Sequence, residues 1–460
     1  MFLSKYATRC APKATTQTRQ YSAMTQYFPE SPTLNRHSQP IEPLQTVSHL
    51  DNGVTLVTHE TAYSPISQVT VYVNAGSRHE TTESLGCSHF FQKMAFEATT
   101  FNSSIRIVRE LEKTGASVSV QNGREFIAYQ AQCLRQAMPK VLGVFANALR
   151  FPRLHKIDVD PHKAEIMTEA ENFASNPQLL VTEGLNTSAF RGSSLANSIV
   201  CPPHAAGQMN GGKLANYHKE QFTPANLTFV GVNVDHKALT DVVNPLFGDM
   251  PTRSNADNST AQYRGGSVIM NEFRKNNPDE NFGNHVAIGY RGLGYNDEMH
   301  LDFAVLHELI GSGSNVYTHS TSGRASDLNK WTKGHSNVYS AQGFNMNYSD
   351  AGVFGIYLTM NGDSSASTVE STFEFLNNLD ITKEAFEAAK KRLTIKTYSA
   401  ATSRVSLSDN IARDNNYSPD AVVKAINAVS MENVQASLKA ALSSTPTISA
   451  YGNVSDLTKF

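Results

Sequence analysis

Two stretches ending in Asn-Val stand 220 residues apart: Phe229-Val-Gly-Val-Asn233-Val and Ser449-Ala-Tyr-Gly-Asn453-Val. Each is followed by an acid and the start of a short helix, Asp235 to Leu239 and Asp456 to Phe460. A recurrence that long implies two halves with one plan, and 460 residues are ample for two cores. In the first half, Asn52-Gly53 separates two apolar runs and reads as a type I′ hairpin turn. Val69, Val71 and Val73 then alternate with Thr70 and Tyr72, the pattern of a half-buried strand. Ser84 is placed to cap a helix from Leu85. Ile105, Val108 and Leu111 share a face of a second helix that ends near Gly115. A second hairpin follows around Asn122-Gly123. In the other half, Val286, Ile288 and Tyr290 repeat the alternation, and a helix with Leu301, Val305 and Leu309 inward follows from about Asp297. This order predicts an α+β chain of two homologous halves, each a largely antiparallel sheet with helices packed on one face. The halves are expected at 45–248 and 267–460, with the polar, core-free stretch 249–266 as linker.

The first 29 residues contain no acid. Lys5, Arg9 and Lys13 recur every four residues, and Arg19 precedes Gln-Tyr-Ser22 in a Ser/Thr-rich setting. That is the composition of a mitochondrial transit peptide, expected over 1–21, with 22–44 as an N-terminal extension and Ser22 as the mature start. Removing its four basic residues from 39 leaves 35 against 41 acids. No basic stripe remains, so nucleic acid is excluded as a partner. No run approaches the roughly 20 apolar residues that span a bilayer. Cys10, Cys87, Cys133 and Cys201 are scattered without a CxxC, which opposes both a disulfide framework and a cysteine zinc site.

Gly86-Cys-Ser-His89-Phe-Phe-Gln92-Lys93-Met-Ala-Phe96 resembles the metal-binding helix of the inverted zinc peptidases, the pitrilysin and mitochondrial-processing-peptidase family. That family carries His-x-x-Glu-His: two histidines one turn apart bind zinc, and the glutamate activates the bound water. The resemblance implies a third ligand at Glu169, 76 residues beyond Lys93, and places His162 where the family has an outer-shell glutamate. Only His89 and Glu169 match. The general base has become Gln92, an amide that takes no proton. The second histidine has become Lys93, which brings a positive charge to the cation's place. Catalytic zinc needs three protein ligands and a water, and two ligands remain. The resemblance therefore implies a vestigial site at His89, Gln92, Lys93 and Glu169, with no catalytic residue, metal or cofactor. Replacing Gln92 by glutamate and Lys93 by histidine should recreate the ligand set.

Two other motifs are weaker. His307-Glu308-Leu-Ile-Gly311 begins like a zinc motif, but glycine stands where the second histidine belongs. Gly311-Ser-Gly-Ser-Asn315 follows a helix instead of opening one, so it reads as a helix C-cap and not as a phosphate loop.

The resemblance runs through the chain after the presequence. It is most specific at Asn74–Glu80, Gly86–Phe96, Ala196–Pro202 and Phe344–Tyr357. Within the family these stretches are similar to the non-catalytic core subunits of ubiquinol–cytochrome c reductase (respiratory complex III). That similarity implies pairing with core protein 1, contact with other complex III subunits in a dimeric complex, and a peripheral, matrix-side place on the mitochondrial inner membrane. The non-catalytic alpha subunit of the processing peptidase is the alternative. Its longer glycine run is reduced here to Gly311, Gly313 and Gly323, which favours the core subunit.

Overall fold

The computed structural model describes residues 44–60, 65–252, 259–271, 283–314, 326–361 and 365–459. The expected transit peptide, Ser22, the N-terminal extension up to residue 43, the middle of the linker, Asn315 and Gly323 lie outside the described residues.

The first half runs β1 (Leu44–His49), β2 (Thr55–Glu60), β3 (Ile66–Val73), α1 (Cys87–Lys93), α2 (Ser104–Thr114), β4 (Ser117–Asn122), β5 (Ile127–Leu134), α3 (Met138–Arg150), α4 (Lys156–Ala174), α5 (Pro177–Ala189), α6 (Pro203–Gln208), α7 (Gly211–Gln221), β6 (Leu227–Val232) and α8 (His236–Phe247). The second runs β7 (Gly266–Asn271), β8 (Asn284–Gly292), α9 (His300–Ile310), β9 (Ser312–Ser314), α10 (Asp327–Gly334), β10 (Val338–Asn347), β11 (Gly352–Met360), α11 (Ser365–Asn377), α12 (Lys383–Thr402), α13 (Arg404–Arg413), α14 (Pro419–Ala428), α15 (Met431–Leu442) and β12 (Thr447–Gly452).

The sheets are ordered β1-β2-β6-β3-β5-β4 and β7-β12-β8-β11-β10-β9. Five strands correspond one to one: β2-β6-β3-β5-β4 and β7-β12-β8-β11-β10. In both sets only the first pair is parallel. The first half adds β1 at one edge and the second adds β9 at the other. Asn233 and Asn453 follow the equivalent strands β6 and β12, as the 220-residue recurrence predicts. Asn233 is left-handed (φ 61) and its side chain donates to Ile66 O at 2.8 Å. In the second half the left-handed residue is Gly452 (φ 122), where a Cβ would press on Asn284.

Each sheet carries its own half's helices on one face, over the two main cores. The opposite face is covered by a helix of the other half. Leu407 and Ile411 of α13, with Tyr417, pack on Val57, Tyr72, Val230 and Val232. Val181, Leu185 and Ala189 of α5 pack on Ala287 and Val353. This exchange explains why Thr70 and Tyr72, which alternation puts on a solvent face, are buried (0% and 2% exposed). Tyr72 and Thr70 hydrogen-bond Ser408 of α13 at 3.2 and 3.3 Å. Arg78 adds a polar tie, donating to Glu125 (2.8 Å) in its own half and Asp350 (2.5 Å) in the other.

Three local expectations are corrected. In α2 the structure buries Ile107 and Leu111, while Ile105 and Val108 stay exposed. Leu111 is buried as its place in the expected stripe requires, but the buried face that packs against α3 runs through Ile107 instead of Ile105 and Val108. Ser84 does not cap α1: its hydroxyl accepts from Thr81 N, and the helix begins at Cys87 after a left-handed Gly86. The Asn52-Gly53 turn is not type I′, which needs two positive φ values; Gly53 is left-handed but Asn52 is not. The Asn52 amide is drawn inward to Phe247 O at 2.7 Å instead.

Candidate functional site

Glu80 and Gly86 set the direction of α1. The Glu80 carboxylate accepts from the backbone N–H groups of Gly86 (2.8 Å) and Ser88 (2.7 Å), satisfying first-turn donors that no N-cap side chain reaches. Burial pushes the Glu80 carboxyl up to about 7. Gly86 is at φ 86, and a Cβ there would collide with Cys201 Sγ, so only glycine fits. His89 and Lys93, one turn apart, then both face α4.

His89 is 5% exposed. Its Nδ1 accepts the backbone N–H of Cys201 at 3.2 Å, and its Nε2 lies 3.0 Å from Glu169 Oε2. A backbone N–H only donates, so Nδ1 carries no proton. Nε2 therefore carries it and donates to Glu169. Burial draws the His89 pKa down, against the pull of Glu169. Lys93 Nζ donates to the other oxygen of Glu169, Oε1, and lies 3.2 Å from Glu165 Oε1. Burial opposes the charge on Lys93, but hydrogen bonds and attraction from the two glutamates outweigh it and raise its pKa. His162 Nδ1 donates to Glu165 Oε2 at 3.0 Å, and its Nε2 lies 3.5 Å from Glu97. The hydrogen bond from His162, then Lys93, holds the Glu165 carboxyl below its usual value.

His89, Lys93 and Glu169 are thus brought together, as the family resemblance implied. Gln92 is not: its amide donates to Val120 O on the edge strand β4 at 3.2 Å. Glu165 was missed among the site residues, although it stands one helical turn before Glu169. Glu97 and the Cys201 main chain left no comparable signal. Among the described residues no group of three or more His, Cys, Asp or Glu side chains is placed to hold a metal ion. Cys87, Cys133 and Cys201 are buried free thiols, and burial pushes Cys201 up to about 12. Cys10 lies outside the described residues.

The second half has a counterpart. Helix α9 follows β8 as α1 follows β3, and α12 corresponds to α4. His307 donates to Gly343 O on β10 at 3.0 Å, as Gln92 does to Val120 on β4. Glu308 pairs with Lys396 of α12 at 3.1 Å, an ion pair of reversed polarity to Lys93–Glu169. Gly311 (φ 70) caps α9, its N–H donating to His307 O.

Two family profiles match the chain. Insulinase (peptidase family M16) matches residues 55–203, and the peptidase M16 inactive domain matches residues 208–393. Subunit 2 of the mitochondrial cytochrome b-c1 complex of Rattus norvegicus is 26% identical over 90% of this chain and 91% of its own length. The mitochondrial-processing peptidase subunit alpha-2 of Dictyostelium discoideum is 27% identical over 88% and 91%. The probable alpha-2 subunit of Arabidopsis thaliana is 28% identical over 75% and 68%. Among solved structures, a chain of complex III2 from Candida albicans with Inz-5 bound shares the fold. Its TM-score is 0.77 at 18% identity, over 90% of this chain and 97% of that one. No described helix is long and apolar enough to cross a membrane.

Proposed function

Because the chain belongs to the M16 peptidase family, we propose that it is a non-catalytic structural subunit of ubiquinol–cytochrome c reductase, in the position of core protein 2. It supports electron transfer from ubiquinol to cytochrome c without catalysing it. Similarity to cytochrome b-c1 subunit 2 over nine tenths of the chain supports this reading, as does the inactive-domain match of the second half. It pairs with core protein 1 on the matrix side and reaches the inner membrane through other subunits of the dimeric complex. The segment 1–21 acts as transit peptide, and 45–248 and 267–460 are the two halves around the linker 249–266.

One observation carries the non-catalytic part. The Glu169 carboxylate is taken up at both oxygens by His89 and Lys93, within the protein. The same helix-to-helix strut recurs with opposite polarity at Glu308–Lys396, where the zinc pattern is incomplete. Zinc does not fit the first-half residues. An ammonium stands in the cation's place, and Gln92 is turned to a strand carbonyl with no basic atom to accept a proton from water. Both struts hold the first helix after the central strand against the long helix that follows, which is a structural task.

Deleting the gene should lower assembled complex III on native gels, and cytochrome c reduction with it. Chains carrying His89→Ala or Glu169→Ala should restore both. Assembly restored by His89→Ala without the accompanying activity would contradict the reading. A second reading, the non-catalytic alpha subunit of the processing peptidase, is favoured by alpha subunits matching at 27% and 28% identity. In that reading the same strut holds a chain that presents substrate to a zinc-bearing partner.

A further inference from the structure

The segment from Leu195 to Cys201 crosses the N-terminal end of α1 and is tied down along its length. Arg124 donates to Leu195 O (3.1 Å) and Asn197 O (2.5 Å). The Asn197 amide donates to Ser77 O (3.0 Å) and Glu80 O (2.9 Å), joining the segment to the stretch whose carboxylate holds the first turn of α1. Asn122 of β4 donates to Ile199 O at 3.2 Å, and Ile199 N donates to Glu183 of α5 at 3.3 Å. The segment ends with the Cys201 N–H on His89 Nδ1, and the Cys201 thiol is seated on Gly86.

We propose that this strap locks His89 in the Nε2–H tautomer, so that His89 cannot ligate a cation even when the ligands missing from α1 are restored. The inference rests on the reading of the cleft as a vestigial zinc site, and it adds a condition for restoring that site. A ligating imidazole offers a lone pair to the metal and carries its proton on the other nitrogen, usually given to an acceptor. Here the nitrogen facing away from Glu169 meets a donor. That donor is main chain and cannot become an acceptor, whatever replaces the cysteine side chain; only proline removes the N–H. Moving the proton to Nδ1 would set two N–H groups against each other inside a region that excludes water, at the cost of a buried unsatisfied donor. The imidazolium meets the same obstacle, and burial disfavours its charge as well. Sequence alone says that Gln92→Glu with Lys93→His rebuilds the site. The structure says that the strap must open too.

The tautomer is read directly from imidazole 15N shifts of His89 in the labelled, otherwise unaltered protein, assigned by loss of its signals in His89→Ala. The lock predicts the Nε2–H pattern, unchanged when zinc is added. An Nδ1–H pattern would overturn it. Zinc uptake is the second measurement, by metal analysis and calorimetry with zinc chloride. The Gln92→Glu, Lys93→His protein should bind zinc roughly 10–100-fold more weakly than the same protein carrying Cys201→Pro, which deletes the N–H. Equal, stoichiometric zinc binding by both would also overturn the lock. The NMR result stands whether or not the proline variant folds. Neither measurement depends on assembly, so failure of the lock and failure of the complex III reading remain distinguishable.

Discussion

Lys93 is the side chain on which the proposed vestigial site depends. It neutralises Glu169 and Glu165 across the gap between α1 and α4, with its own side chain 22% exposed and theirs 37% and 48%. The pair adds little net stability, because desolvation offsets attraction. Removing the ammonium alone leaves two carboxylates facing each other. Lys93→Ala should therefore cost about 1–3 kcal/mol in denaturant unfolding, and Glu169→Gln in that background should recover part of the loss. Equal losses from the single and double variants would show that the contact is idle. Glu80 gives a pH signature. Its folded pKa of about 7 lies above the usual 4.5, so the folded protein holds the proton more tightly. Stability from this group is fully present below about 4.5 and is lost as pH rises through 7, on the order of 3 kcal/mol in all. Glu80→Gln should flatten the decline in melting temperature between pH 5 and 8, and an identical profile would contradict the assignment. Helical spacing made it legible that His89 and Lys93 share a face, and the family resemblance made it legible that Glu169 stands opposite them. Glu80 and Cys201 were not legible, because the Glu80 carboxylate is taken up by backbone N–H groups and Cys201 acts through its own backbone N–H, and backbone has no sequence signature.

Among the elements, α5 and α13 matter most, since each covers the sheet of the half it does not belong to. Leu407→Ala should cost about 2–4 kcal/mol by leaving a cavity against the first-half sheet. Hydrogen exchange then locates the damage: amides of β3 and β6 should lose protection along with those of α13. Loss confined to second-half amides would mean that the helix contributes nothing across the boundary. The sequence showed Val69, Val71 and Val73 as an inward row. It could not show that Thr70 and Tyr72 also face protein, because a polar residue that finds a partner on a remote helix looks the same as one facing water. The misassigned face of α2 has a similar origin. Leu111 can share a buried stripe either with Ile105 and Val108 or with Ile107, and only the position of α3 decides between them.

For the whole molecule, the two-half plan was the most legible feature, because a strand-end signature repeated at 220 residues survives where the motifs between have diverged. The reversal of charge between Lys93–Glu169 and Glu308–Lys396 was not legible, since neither pair repeats the other's residue types. Together the two struts describe a scaffold of peptidase shape whose helices are fixed by protein charges. The most direct test is to purify the tagged full chain from detergent-solubilised mitochondria and record the reduced-minus-oxidised haem spectrum of what accompanies it. A structural subunit of complex III predicts b- and c-type haem in constant ratio to the chain, with no zinc attributable to it. A haem-free, soluble pair in which a second chain carries the zinc would contradict the account.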